Sequence, residues 1–340
     1  MISRREVEAA ERAPPVLIEA RTRALEVMHD IASLLGQAGN VSELLMSASG
    51  SLLGREVGGE LTSLSQLELA AYKMAARYFA KIASATTSES MSIANAYSLV
   101  AVARDIGLIA SLYSQGEEPR EEELVAPDDP RVSRFLRVVG EEGLMALPRI
   151  LRSLGMEVAS AVLEAQPDTP LQLALDLELL SAFREAYRGF RETPGGQILC
   201  GRMDIYALRA AASSSILSRE LQQVAELVAK YIDSCLLPRD RLVALMGEAD
   251  YRSAIQQIAA STYGSVAETS VELVDAFTHR IRKLQRERAI QYSLSDPLEP
   301  WFPAPVMELL LLNAEDVSAI VSGTIAGLTR EQIAELVSMQ

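Results

Sequence analysis

The stretch that decides the fold class reads Leu173-Ala-Leu-Asp-Leu-Glu-Leu-Leu-Ser-Ala-Phe-Arg-Glu-Ala-Tyr187. Apolar residues at positions 173, 177, 180, 183 and 187 recur every three or four residues, which is the spacing of one face of an α-helix. Similar stretches, rich in good helix formers, fill residues 15–36, 64–84, 88–115, 132–164, 170–191, 216–233, 250–260, 266–292 and 304–326. Alternating runs bounded by turn residues do not stand out, so the sequence predicts an all-α fold.

Charge and composition exclude several classes of protein. The 340 residues include 32 basic and 46 acidic side chains, a net charge of −14, which argues against duplex nucleic acid as a partner. Two Cys and two His make a disulfide scaffold or a zinc cluster improbable, so we expect Cys200 and Cys235 to be small buried apolar side chains in a reducing cytosol. Neither a signal peptide nor an uninterrupted apolar span of about 18 residues is apparent, so we expect a cytoplasmic chain.

A repeat of roughly 100 residues emerges from two kinds of marker. Three glycines close amphipathic stretches, and three aspartates each precede a β-branched residue in an apolar helix. The distance from glycine to aspartate is 51, 49 and 52 residues in the three copies. The markers are Gly54, Gly155 and Gly264, with Asp105, Asp204 and Asp316. This register predicts a triplicated helical unit.

The segments after the aspartates also resemble one another. The stretch from Gly116 to Val125 is matched by Gly327 to Val337, in which Thr329 is expected to cap a short helix, and by Ser218 to Val228. We therefore expect three similar helical domains at residues 1–126, 127–236 and 237–340.

Motifs for catalysis are missing from the sequence. There is no Gly-Lys-Ser/Thr of a P-loop, and Gly195-Gly196 reads as a turn because the G-x-G-x-x-G frame is absent. Asp128-Asp129-Pro-Arg-Val begins like the magnesium motif of isoprenoid enzymes but fails at its fifth position. His29 and His279 have no neighbours at triad or metal-ligand spacing. We therefore expect no catalytic, cofactor-binding or metal-binding residues.

Two charged features need a physical interpretation. Each repeat aspartate, placed in an apolar helix, should have a partner, either an arginine or a backbone amide of a neighbouring helix. A structural role is favoured over proton handling because the three positions are equivalent. Arg282, Lys283 and Arg286 project from one side of a predicted helix, and they form either a solvated face or a docking surface for acidic groups.

These residues resemble the C-type central-stalk component of the archaeal-type (A/V-type) rotary ATPases, a relative of the d component of vacuolar ATPases. The turn Ser261-Thr-Tyr-Gly264, the late Asp296-Pro-Leu298, the three aspartate helices and Glu19-Ala-Arg-Thr-Arg-Ala24 carry the resemblance. It spans about residues 17–337. The sequence departs from the family at its Asn, replaced by Leu108, Ala207 and Ala319, and at its Glu, replaced by Ala103, Arg202 and Ala314.

The resemblance implies a mechanical role and no enzymatic activity of the chain itself. It implies three helical domains arranged as a funnel, whose wide face sits on the membrane proteolipid ring and whose cavity receives the rotor shaft, made of the D and F proteins of the complex. Such a chain is a peripheral, non-spanning part of the central stalk at the cytoplasmic face of the membrane. It couples rotation to ATP synthesis or ion pumping.

Two other classes stay open from the sequence alone. An unrelated helical-repeat adaptor would bind a peptide or a single helix in an open groove. A helical enzyme would need a well-formed polar pocket.

Overall fold

The structure is a computed structural model that describes residues 4–56, 61–217, 222–246, 251–264 and 273–339. These residues form sixteen α-helices and no β-strand, so the all-α prediction is confirmed. The first five helices are α1 (Arg4–Gly36), α2 (Val41–Ser49), α3 (Leu52–Glu56), α4 (Leu64–Ala85) and α5 (Met91–Ser114). The next six are α6 (Pro130–Glu142), α7 (Leu147–Ser153), α8 (Glu157–Ala165), α9 (Leu171–Phe190), α10 (Pro194–Leu217) and α11 (Gln222–Tyr231). The last five are α12 (Arg239–Leu245), α13 (Tyr251–Tyr263), α14 (Leu273–Tyr292), α15 (Pro303–Ile325) and α16 (Arg330–Leu336).

Four predicted segments fall partly outside the described residues. The described residues leave out 218–221, which belong both to the segment Ser218 to Val228 and to the predicted helix at 216–233. They also leave out the first residue of the predicted helix at 250–260 and the start of the predicted helix at 266–292, because residues 265–272 are not described. The predicted helix at 132–164 is instead three helices, α6, α7 and α8. It is interrupted because Gly143 and Gly155 take φ values of +72° and +80°, a left-handed backbone that ends a helix.

A pair of long helices occurs three times in the order of elements. The pairs are α4 with α5, α9 with α10, and α14 with α15, and each follows two shorter helices. An aromatic contact joins Phe79 of α4 to Tyr97 of α5, with ring centroids 5.7 Å apart. Phe183 of α9 and Tyr206 of α10 lie at the same distance. The three repeat aspartates each lie on the second helix of a pair.

The chain divides into two compact units. The first comprises Met1–Ser98, Glu192–Ile198 and Arg282–Gln340, and the second comprises Leu99–Arg191 and Leu199–Ile281. The sequence divides the chain differently, into three consecutive domains with one repeat each. That division stays a prediction.

The first unit is built around α15, which packs against α1 and α4. All residues from 303 to 314 of this helix are buried, including the apolar run at 309–312. Ten of these twelve residues are apolar, and a stretch that is apolar on nearly every side belongs in the interior of a domain, which explains its central position. Thr329 caps the neighbouring α16 by accepting from the backbone N–H of Gln332, as the sequence predicts.

In the second unit α8 packs between α7 and α9. The apolar stripe of the deciding stretch lies on α9, where Leu173, Leu177, Leu180 and Phe183 are all buried. Glu178 of the same helix is also buried and accepts a 2.9 Å hydrogen bond from the backbone N–H of Ala159. Burial raises the pKa of Glu178, and the backbone hydrogen bonds partly offset that rise.

One described helix, α5, is long and apolar enough to cross a membrane by length and composition alone. The most apolar 18-residue stretch of α5 is 67% buried inside the fold. The helix also carries the buried Asp105. Burial of most of the helix and of a carboxylate on it is typical of a core helix.

Candidate functional site

The three repeat aspartates are fully buried, each with a relative exposure of 0%. Asp105 lies on α5, Asp204 on α10 and Asp316 on α15. A buried carboxylate is stable only when hydrogen bonds or opposite charges replace the water it has lost. The hydrogen-bond and ion-pair partners of these three side chains therefore show which parts of the chain each aspartate holds together.

Asp105 binds the backbone of a segment about twenty residues later in the chain. Its Oδ1 accepts from the N–H of Val125 at 2.8 Å, and its Oδ2 accepts from the N–H of Ala126 at 2.8 Å. The carboxylate thus holds the segment that follows Glu121–Glu123, a single turn of 3-10 helix, against α5.

Asp204 makes the same kind of contact with three consecutive amides. The N–H of Cys235 lies 2.7 Å from Oδ1, and the N–H groups of Leu236 and Leu237 lie 3.0 and 3.3 Å from Oδ2. The hydroxyl of Tyr263 donates a further hydrogen bond of 2.6 Å to Oδ2. Burial raises the pKa of Asp204, and these donors, Tyr263 first, act in the opposite direction.

Asp316 combines a backbone contact with two cations. The N–H of Ser338 lies 2.8 Å from Oδ1, as does Nη2 of Arg282. Nη2 of Arg286 lies 3.0 Å from Oδ2. Burial lowers the pKa of Arg286, and the charge of Asp316 raises it in compensation.

The three sites share one arrangement, which we call the aspartate clamp: a buried aspartate on the second helix of a long pair, bound through Oδ1 to a backbone N–H of the segment that comes after the pair. The corresponding donors are Val125, Cys235 and Ser338. Each aspartate has a partner, as the sequence predicts, and Asp316 has the expected arginines. The backbone amides, however, belong to non-helical segments that follow the helices, and not to a neighbouring helix.

Glycines mark the ends of two of the clamp helices. Gly116 and Gly327 each lie eleven residues after the aspartate and take φ values of +78° and +70°. In both cases the glycine N–H and the next N–H bind carbonyls of the last helical turn, which is the hydrogen-bond pattern of a Schellman cap. The middle copy has Ser215 at this position. Residues 126 and 236, the predicted ends of the first two domains, also carry amides that bind the clamp aspartates.

The three repeat glycines do not share one conformation. Gly155 and Gly264 end α7 and α13 with φ values of +80° and +84°. Gly54 instead lies inside α3, where a Cβ would come within 2.5 Å of the Ser49 carbonyl oxygen. The expectation that each glycine closes an amphipathic stretch is therefore wrong for Gly54, which is needed for close packing.

The basic cluster at 282–286 is not an exposed docking surface. Arg286 has a relative exposure of only 3%, and its guanidinium also binds Oδ1 of Asn313 and Oγ of Ser338, both at 2.8 Å. Arg282 pairs with Glu315 as well as with Asp316. Lys283 is partly exposed and has an interaction of its own. The docking hypothesis is wrong for Arg286 and Arg282 because their charges are needed inside the protein to compensate Asp316.

The two cysteines form a disulfide bond between Cys200 and Cys235, with their Cα atoms 5.2 Å apart. The expectation of two small buried side chains in a reduced state holds only for the burial of Cys200, because Cys235 is partly exposed and the two sulfurs are bonded. The sequence contains no local signal for this pairing, because 35 residues separate the two cysteines.

A small cleft of about 110 Å³ opens on the first unit. Its walls are mostly apolar and proline-rich, with Leu298 of the late Asp296-Pro-Leu298 element exposed over 68% of its surface. Ser90, one of the lining residues, donates to the carbonyl of Pro300 at 2.7 Å. The full lining consists of Ala13, Pro14, Leu17, Thr86, Thr87, Glu89, Ser90, Pro297, Leu298, Glu299, Pro300 and Pro303.

Among the described residues, no group of three His, Cys, Asp or Glu side chains could hold a metal ion. Asp129 of the incomplete magnesium motif instead caps α6 and forms a 2.8 Å ion pair with Arg131. Of the two histidines, His29 is exposed and His279 is partly exposed.

No protein-family model matches this chain, and no curated protein matches it.

Proposed function

We propose that this chain is a non-catalytic part of the central stalk of an A/V-type rotary ATPase, a socket between the rotor shaft and the membrane proteolipid ring. In this role it binds the D and F proteins of the shaft on one side and the ring on the other, at the cytoplasmic face of the membrane. It passes torque between them and needs no nucleotide, cofactor or metal of its own.

The observation that carries this proposal is the threefold aspartate clamp. Three long helix pairs, each tied by a buried carboxylate to a segment that follows it, agree with a triplicated helical protein. The proposed domains at residues 1–126, 127–236 and 237–340 each contain one clamp, and we propose that they are arranged as a funnel.

The physical demands of torque transmission agree with this construction. A coupling element has to rotate as a stiff body, because any local unfolding would dissipate the work. Buried hydrogen bonds to charged groups are among the stronger polar contacts in proteins, and each is expensive to break. Each clamp places such bonds at the point where the chain leaves one long helix pair.

The test is reconstitution from purified components. We expect the chain to bind the purified ring and, separately, the shaft formed by the D and F proteins, and to form a complex with both. A rotary complex assembled without the chain should hydrolyse ATP without pumping ions, and addition of the chain should restore pumping. Failure to bind either partner, or pumping that is independent of the chain, would contradict the proposal.

A helical-repeat adaptor is the second candidate, and the cleft of the first unit favours it. A small apolar cleft beside an exposed leucine could take one anchoring side chain of a partner helix. Small-angle scattering separates the two candidates, because an adaptor solenoid gives an elongated, open profile and the proposed funnel gives a compact one.

A further inference from the structure

The disulfide bond lies inside the middle aspartate clamp. Cys200 precedes Asp204 by four residues on α10, and so it occupies the adjacent helical turn. Cys235 is the residue whose backbone N–H donates to Oδ1 of Asp204. The same residue of the closing segment is therefore held to α10 twice, by its backbone amide and by its sulfur.

The other two clamps lack this covalent tie. Four residues before their aspartates stand Ala101 and Leu312, and the residues that correspond to Cys235 are Val125 and Ser338. The third clamp is strengthened in a different way, by two arginines on Asp316. In the middle clamp the described partners of Asp204 are three amides and one hydroxyl, all neutral.

The closing segment of the middle clamp connects α11 to α12. Its remaining hydrogen bonds are short-range: Ser234 Oγ donates to the Leu237 carbonyl, and Arg239 donates to the carbonyls of Ile232 and Ala229. These bonds keep the segment folded on itself but do not join it to α10. The carboxylate of Asp204 and the disulfide do join it to α10. A longer ion pair of 3.7 Å joins Asp233 of the segment to Arg184 of α9. A partly exposed ion pair adds little stability, so Asp204 and the disulfide chiefly set how readily the segment opens.

We propose that the Cys200–Cys235 disulfide is a redox-sensitive latch, which keeps residues 233–238 closed on α10 when oxidised and permits their local opening when reduced by a dithiol. The inference does not depend on the function proposed above, since it concerns the closure of one segment of this chain.

The chemistry of the latch is a two-electron thiol–disulfide exchange. One thiolate of the dithiol attacks Sγ of Cys235, which is partly exposed, and releases the thiolate of the buried Cys200. The second thiol of the reductant then displaces Cys235 from the mixed disulfide. The products are two cysteine thiols in the protein and a disulfide in the reductant, and the reverse reaction closes the latch.

Reduction should act on the middle clamp alone. A disulfide stabilises chiefly by limiting the open state, and the contact of Asp204 with neutral donors remains as the weaker tie. The closing segment should then open more often while the rest of the fold stays intact, because local openings have their own free energies. The two clamps without cysteines provide an internal reference in the same molecule.

The experiment measures amide hydrogen exchange of the full chain, as purified and after treatment with dithiothreitol under native conditions. We expect alkylation in denaturant to find no free thiol before reduction and two after it. Exchange at Cys235, Leu236 and Leu237 should accelerate about 30-fold or more on reduction, which corresponds to the lower range of disulfide stabilisation. Exchange at Val125, Ala126 and Ser338 should change by less than about twofold, within the scatter expected of independent sites.

A double variant, Cys200→Ala with Cys235→Ala, provides the matched control. It should exchange like the reduced wild type and should not respond to dithiothreitol. If this variant fails to fold, titration of the wild-type chain with dithiothreitol decides the question alone. Two free thiols in the protein as purified, equal exchange at residues 235–237 in both redox states, or equal acceleration at all three clamps would each overturn the latch.

Discussion

The hydroxyl of Tyr263 donates a 2.6 Å hydrogen bond to Oδ2 of Asp204, across 59 residues of sequence. Both residues belong to elements on which the family resemblance depends, the turn at 261–264 and the middle aspartate helix. The structure brings these two elements together in the middle clamp. The turn is therefore a part of the clamp as well as the end of α13.

Replacement of Tyr263 by Phe should destabilise the chain by about 1.5–3 kcal/mol, the range for a hydrogen bond to a charged group. The aromatic ring is retained, so the loss reports the hydroxyl alone. Because that hydroxyl lowers the pKa of Asp204, its removal should also raise this pKa further. Urea unfolding of the two chains measures the difference in unfolding free energy.

Tyr78→Phe is the matched control for that change. Tyr78 donates in the same way to a carboxylate, but its acceptor Glu19 is about half exposed to solvent. Water can replace the lost hydroxyl there, so we expect a loss below about 1 kcal/mol. Equal losses of unfolding free energy in the two variants would show that the burial of Asp204 does not strengthen its hydrogen bond with Tyr263.

Asp129 should give the chain a pH-dependent increment of stability. Although burial opposes it, hydrogen bonding to Arg131 holds the pKa of Asp129 below its usual value in the folded state. The stabilisation is therefore present above the ordinary aspartate pKa of about 3.9 and is lost as the pH falls through the lower folded-state pKa. Asp129→Ala should lose about 1 kcal/mol at neutral pH, because it removes the cap of α6.

Urea unfolding over a series of pH values tests this prediction. The difference between Asp129→Ala and the wild type should shrink toward zero below the folded-state pKa. The neighbouring Asp128 is exposed, so Asp128→Ala should change stability by less than about 0.5 kcal/mol at every pH. A difference in unfolding free energy between Asp129→Ala and the wild type that stays the same at acidic pH would contradict the lowered pKa of Asp129.

The regular helices can be predicted from the sequence because their apolar faces repeat over many turns. The stripe on α9 and the buried run of α15 are examples, and the capping threonine of α16 carries a local signal of its own. Short helices such as α2, α3 and α12 escape prediction, because five to nine residues contain too few turns to show a period.

The burial of Arg286 is not predicted from the sequence, although a signal for it exists. Four-residue spacing places Arg282 and Arg286 on one side of α14, and a buried aspartate needs a cation. Taken together, these two facts could pair the arginines with Asp316. Periodicity alone does not make that pairing, because it shows which residues share a face and not which neighbour that face meets. Long-range pairings, including the disulfide, depend on tertiary structure in the same way.

Gly195 is needed for a close contact between α10 and the residues just before α15. A Cβ at this position would lie 2.6 Å from Cβ and 2.8 Å from the carbonyl oxygen of Trp301. Gly195→Ala should therefore cost about 1–3 kcal/mol through overpacking, measured by urea unfolding. Gly189 of α9 has open space around it, so Gly189→Ala should be neutral or stabilising by up to about 1 kcal/mol. A neutral Gly195→Ala would show that the two segments can separate at no cost.

The isolated chain should neither bind nor hydrolyse ATP. The sequence contains no P-loop, and the described residues contain no carboxylate or histidine cluster that could hold the magnesium of Mg-ATP. Calorimetric titration with Mg-ATP should give no heat of binding above dilution. A micromolar affinity would contradict the non-catalytic assignment while leaving the structural description of the clamps intact.

Arg286→Met should be among the most destabilising single changes in the chain. It removes a buried guanidinium that binds three acceptors, Asp316, Asn313 and Ser338. Loss of one partner from a buried ion pair leaves an uncompensated charge and typically costs about 3–5 kcal/mol. Arg288→Met, two residues later on the same helix, should change stability by less than about 0.5 kcal/mol, because that arginine is partly exposed.

A double-mutant cycle then separates the ion pair from the packing of the side chains. Asp316→Leu and Arg286→Met should each destabilise the chain strongly. The double variant should lose less than the sum of the two, because neither charge is left without the other. Urea unfolding of the four chains gives the coupling free energy between the two positions, which should be at least about 1 kcal/mol. Additive losses would mean that Arg282 alone compensates Asp316 and that Arg286 serves mainly to fill space.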